Sequence, residues 1–218
     1  MNNKSFDIAE YIEHTNVKAV ATENDIKKLC VEAKSHGFYA VCVTSFRTSL
    51  AKKFLDQTKV KIVSVVGFPK ATVTYKIKAQ ETKEAVKNGA DEIDMVINLG
   101  ALKDKNYQYV VKDIKEVIKA AAGRPVKVII EVGYLTEKEI IKSCQIVKKA
   151  GAHFIKTGTG YGPKKTKISD IKLIHQILKN QIKIKASGGI RSYRKAYLMI
   201  QAGASRIGTS HGVEMTKK

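Results

Sequence analysis

The sequence predicts a single-domain (β/α)8 barrel of minimal size (a TIM barrel) over residues 1–218, and three observations predict it. A punctuation mark repeats along the chain: a lysine-rich helical stretch ends in glycine, often Gly-Ala, and a short apolar strand follows. It occurs at Gly37, Gly89, Gly151 and Gly203. Glycine just past a helix takes the left-handed conformation that stops it, and the small residue lets the chain enter a strand. Strand and helix patterns alternate strictly, about eight times along the chain, which is the signature of parallel α/β architecture. The strands are near-continuous runs of Val, Ile and small residues, as expected where both faces are buried. A doubly wound open sheet is the competing architecture, but no GxGxxG follows an early strand and no P-loop occurs.

Taken in order, the first strand is expected at 11–15 and the second at 39–44, directly after Gly37. The third falls at 61–67 and the fourth at 92–97, after Gly89. The fifth, in the longest apolar run, spans 126–132. The sixth follows Gly151 at 153–157, the seventh lies at 182–186, and the eighth follows Gly203 at 206–209. Between them, helical patterns lie near 23–36, 48–57, 75–88, 107–122, 136–149, 168–180 and 192–202. Thr136 with Glu139 makes a capping box, and Ser169 or Asp170 supplies another cap.

Composition narrows the function. The hydrophobic fraction is 44%, as in a globular protein, and no apolar run reaches membrane-span length. The opening Met-Asn-Asn-Lys-Ser lacks a secretory apolar stretch, so a cytoplasmic location is expected. Cys30, Cys42 and Cys144 are odd in number and widely spaced, and read as buried reduced thiols. The five histidines show no metal spacing: His36 and His175 read as structural, while His14 and His211 fall near the expected mouth. The net charge of +20 comes from 35 lysines and only 5 arginines, with no lysine run longer than two. That scatter argues against a nucleic-acid partner, which would concentrate arginine and aromatic residues on one face. It does suit a small anionic substrate, whose encounter rate such a field raises.

Two lysines carry the chemistry. Lys156 ends the sixth strand and Lys185 the seventh, and each meets glycines immediately downstream. In such barrels the strand C-termini build the active site. Adjacent strands lie ~5 Å apart, so the two amines would share one rim. A lone lysine has a pKa of about 10.4 and is almost wholly protonated at pH 7. A second positive charge and partial desolvation expose a nucleophile. Asp94 sits between Ile93 and Met95 on the fourth strand, where a carboxylate is costly unless paired. It is positioned to relay a proton. Asp91 and Glu92 read as loop and strand-edge charges. The glycine-rich turns at Thr159-Gly160, Gly188-Gly189 and Gly208-Thr-Ser210 read as the phosphate-binding layer. No metal or organic cofactor is expected.

These residues resemble the deoxyribose-phosphate aldolase family, class I aldolases with a (β/α)8 fold. The resemblance runs from Ile12-Glu-His-Thr15 to Gly208-Thr-Ser210. Its most specific segments are those around Asp94, Ile130-Glu-Val-Gly-Tyr-Leu-Thr136, Phe154-Ile-Lys-Thr-Gly-Thr-Gly160 and Ile184-Lys-Ala-Ser-Gly-Gly-Ile-Arg191. It implies that Lys156 forms the Schiff base, Lys185 perturbs it and Asp94 transfers protons. The implied reaction is reversible cleavage of 2-deoxy-D-ribose 5-phosphate to acetaldehyde and D-glyceraldehyde 3-phosphate. Relatives are often dimers or higher homo-oligomers. The chain departs from the family pattern at Gly158 (usually serine), Thr44-Ser45, Ala71 and His211, and it ends without the terminal tyrosine of some relatives.

Overall fold

A computed structural model describes residues 6–216. The opening segment behind the location expectation, and the final lysines, lie outside the described residues. Eight parallel strands close into a barrel in chain order: β1 Ile12–Asn16, β2 Ala40–Thr44, β3 Lys61–Val66, β4 Glu92–Val96, β5 Val126–Ile129, β6 Phe154–Lys156, β7 Lys183–Ser187 and β8 Arg206–Thr209. The helices are α1 Glu23–Ser35, α2 Thr48–Phe54, α3 Tyr75–Lys87, α4 Leu99–Lys103, α5 Tyr107–Ala120, α6 Glu137–Ala150, α7 Ile168–Leu178, α8 Tyr193–Gln201 and α9 Gly212–Thr216. No helix of the described residues is long and apolar enough to cross a membrane.

The helix signals act as the sequence says, with one shift. Thr136 and Glu139 form the capping box of α6, and Gly151 closes that helix at φ 83°. On α7 the N-cap is Lys167, and Asp170 accepts its N–H from inside the first turn. Three elements differ from expectation. Strand β5 stops at Ile129 rather than 132, because Glu131 adopts left-handed φ and ψ of 52° and 66°. The short helices α4 and α9 were not anticipated.

Most buried apolar residues pack between strands and helices, where α5 and α6 press Val110, Ile114, Ile140 and Val147 onto the barrel. The lumen is different. Its apolar part is two small patches, Ala40, Cys42, Val63 and Val65 from β2 and β3, and Val96 and Ile129 from β4 and β5 with Ala71. The remainder is filled by charge: Glu13, Glu92, Asp94, Lys127, Lys156 and Lys185 are all buried. The three cysteines are buried and free.

Candidate active site

Register brings the charged side chains together. Asp94 pairs across to Lys127 on β5, and Lys156 on β6 pairs across to Lys185 on β7. One atom joins them: Asp94 Oδ2 accepts from Lys156 Nζ at 2.8 Å and from Lys185 Nζ at 2.6 Å. Asp94 Oδ1 accepts from Lys127 Nζ at 2.9 Å. Lys185 also bonds Glu13 Oε2 on β1, which lies 3.6 Å from Lys127 Nζ. Lys127 reaches Glu92 Oε2 at 2.6 Å, and Tyr39 Oη donates to the other oxygen of Glu92 at 2.5 Å.

The sequence thus placed Lys156, Lys185 and Asp94 in one cluster but missed half of the cluster's members. Glu92 is not an edge charge; it is buried and neutralised by Lys127. Glu13 and Lys127 were not singled out, although Lys127 stands between Val126 and Val128 much as Asp94 stands between Ile93 and Met95. Lys185 keeps its charge in this cluster. Burial pushes its ammonium toward deprotonation, but Asp94 and Glu13 override this and hold its pKa above the ordinary value. Lys127 is raised by the same carboxylates. Burial likewise works against charged Asp94, yet Lys127, Lys156 and Lys185 hold it well below the usual carboxylate range. Lys185 therefore stays a cation and Asp94 an anion, a fixed dipole beside Lys156.

Above this floor a cleft of about 180 Å³ opens at the C-terminal mouth. Lys156 lines it, 4% exposed, whereas Asp94 and Lys185 are wholly buried. All the predicted phosphate residues line it too: Thr159, Gly160, Gly188, Gly189, Gly208 and Ser210. Gly188 and Gly189 hold φ of 104° and 77°, which a side chain would strain. Their carbonyls turn onto Thr166 N–H and Lys195 Nζ. Thr159 differs from expectation, since its N–H and hydroxyl are both committed to Glu131 Oε2. Of the histidines, His211 lines this cleft, whereas His14 is buried against Glu32 at 2.9 Å. A larger, shallower hollow of about 1110 Å³ lies at the opposite mouth, lined by Tyr39, Lys59 and Arg206, and includes neither Lys156 nor Asp94.

A lysine amine and a carboxylate under a glycine-lined cleft suit Schiff-base chemistry on a small carbonyl compound. A family model described as DeoC/LacD family aldolase matches residues 7–218. The chain belongs to that family. It is 52% identical over 215 residues to the deoxyribose-phosphate aldolase of Thermococcus gammatolerans, covering 97% of this chain and 96% of that one. Among solved structures, an aldolase named QR15 superposes with a TM-score of 0.94 at 40% identity, covering 97% of this chain and 95% of the other. A deoxyribose phosphate aldolase from Aeropyrum pernix, described as tetrameric, gives 0.89 at 31% identity, covering 96% and 89%.

Proposed function

We propose that this family member is a deoxyribose-phosphate aldolase that reversibly cleaves 2-deoxy-D-ribose 5-phosphate to acetaldehyde and D-glyceraldehyde 3-phosphate. One observation carries the reading: Asp94 Oδ2 bridges two lysine amines directly beneath the cleft. Lys156, the amine that reaches the cleft, adds to the aldehyde carbon of the open-chain sugar. Loss of water leaves an iminium. As a base takes the proton of the C3 hydroxyl, the C2–C3 bond breaks and its electron pair flows into the iminium, giving an enamine. Protonation at C2 and hydrolysis release acetaldehyde and free Lys156. Asp94, in contact with both amines, is placed to relay these protons through water. The iminium is the electron sink, so the sequence of steps balances with no further group.

Gly188, Gly189, Gly208 and Ser210 hold the phosphorylated end, and Lys165 and Arg191 on the same cleft add positive charge. We assign the enzyme to the cytoplasm. A homo-oligomer is supported by the tetrameric description of the Aeropyrum pernix relative, and light scattering of the purified protein measures it.

The test is borohydride trapping with acetaldehyde followed by peptide mapping. One ethyl group found chiefly on Lys156, among 35 lysines, is expected, and Lys156→Ala should abolish turnover with the fold intact. Scattered labelling, or substantial turnover by Lys156→Ala, would refute the assignment. Gly158 and His211 favour a second reading, an aldolase of the same chemistry with a different acceptor. A survey of phosphorylated against plain aldehydes separates the two.

A further inference from the structure

Glu131 is a buried carboxylate that the lysine chemistry leaves unused. Its left-handed backbone is one that residues with a Cβ rarely adopt, and such conformations persist where the surroundings over-determine them. Pairing with the β6 segment continues on either side of it: Ile130 N–H bonds Lys156 O at 3.0 Å, and Val132 N–H bonds Thr157 O at 2.8 Å. The departure at Glu131 therefore serves to turn one side chain into the cleft, which it lines together with Lys156. Oε2 is taken by Thr159. Oε1 receives no hydrogen bond from the described residues and is not among the oxygens sealed from solvent without a partner. A methyl group on Gly158 would lie 2.9 Å from Oε1, and one on Gly162 2.7 Å from it. The missing side chains at Gly158 and Gly162 thus leave open the space that this carboxylate oxygen occupies.

We propose that Glu131 is a specificity residue of the cleft: Oε2 fixes the Thr159 turn, and Oε1 accepts a hydrogen bond from the hydroxyl adjacent to the acceptor's carbonyl. The inference rests on the aldolase reading. A carboxylate oxygen left without a donor accepts from a hydroxyl and disfavours a phosphate. That preference turns the phosphate toward the Gly188, Gly189 and Ser210 side, where Lys165 and Arg191 lie. In a cleft of about 180 Å³, a chain of three carbons leaves its hydroxyl little choice of partner.

The experiment condenses acetaldehyde with D-glyceraldehyde or with 3-hydroxypropanal, which lacks the adjacent hydroxyl, and reads the ratio of the two kcat/KM values. The wild-type enzyme should prefer glyceraldehyde by roughly tenfold or more, the size of one hydrogen bond to a charged group. Glu131→Gln keeps one oxygen for Thr159 and replaces the charged acceptor with a neutral amide, so the ratio should fall severalfold. Gly158→Ser, which crowds Oε1 and leaves Glu131 in place, should move the ratio in the same direction. Thr159→Val should slow both acceptors alike. A Glu131→Gln enzyme that slows both acceptors equally would make Glu131 merely structural and overturn the proposal, as would a wild-type ratio near one. Turnover of neither acceptor by the wild type would sink the aldolase reading itself, an outcome distinct from the other two.

Discussion

A carboxylate sealed in a barrel lumen costs several kcal/mol unless cations meet it, and Asp94 meets three. The buried cluster holds three lysines and three carboxylates, so removal of one member leaves an uncompensated charge. Lys127→Met should cost about 3–5 kcal/mol in urea unfolding and lower kcat as well, because Asp94 Oδ1 loses its anchor. The acid dependence follows from the same contacts. Asp94 and Glu92 are held below their ordinary values in the fold. Unfolded carboxylates titrate near pH ~4, so their stabilisation is complete above that pH and is lost as pH falls through the folded values. Lys185 and Lys127 are raised, so theirs is complete below pH ~10 and is lost only at higher pH. The urea midpoint should stay level from neutral pH to ~5 and then fall, with a shallower acid limb in Asp94→Asn; equal limbs in both proteins would count against the cluster. Asp94, Lys156 and Lys185 were legible in the sequence because charge on an apolar strand needs an explanation. Lys127 obeyed the same rule but was absorbed into the longest apolar run. Glu92, at a strand's first position, looked like an edge until the barrel closed over it.

Elements are legible to the extent that periodicity has length to act on. All eight strands and seven of the helices lie where the glycine punctuation and apolar runs put them. The helices α4 and α9 span only five residues each, too few to show a period. Strand β5 was overextended because Ile130 and Val132 continue its apolar run, while Glu131 between them adopts left-handed backbone angles. Local capping was readable at α6, whereas on α7 the cap falls on Lys167. Lys103 Nζ donates to Glu139 at 2.8 Å, and Glu139 also accepts Thr136 N–H at 2.8 Å, which together lower its pKa to about 2. Thr136 returns the bond to Glu139 N–H. This box sits at the start of α6, outside the cleft, so Thr136→Ala should lose about 1 kcal/mol of unfolding free energy. Its kcat/KM should match the wild type; a loss of activity without loss of stability would mean that the start of α6 shapes the cleft.

At the scale of the molecule, the net charge of +20 has to be reconciled with a catalytic cluster that is close to neutral. The excess therefore lies on the outside, where lysines along the helix faces produce a field that does not enter the chemistry but reaches the solvent. Such a field acts on encounter and is screened by salt: the Debye length falls from ~30 Å at 0.01 M to ~8 Å at 0.15 M. At the cleft it adds to Lys164, Lys165 and Arg191, which line the mouth itself. A dianionic phosphate should feel this field and a neutral sugar should not. Raising ionic strength over that range should therefore lower kcat/KM for 2-deoxyribose 5-phosphate several-fold, acting through KM, and leave that for 2-deoxyribose within about twofold. Neutralising the local term with Lys165→Gln should flatten part of the salt dependence, and the residual slope measures the field of the distributed lysines. If the phosphorylated and plain sugars respond to salt alike, the surface charge does not steer substrate, and the lysine excess serves solubility alone.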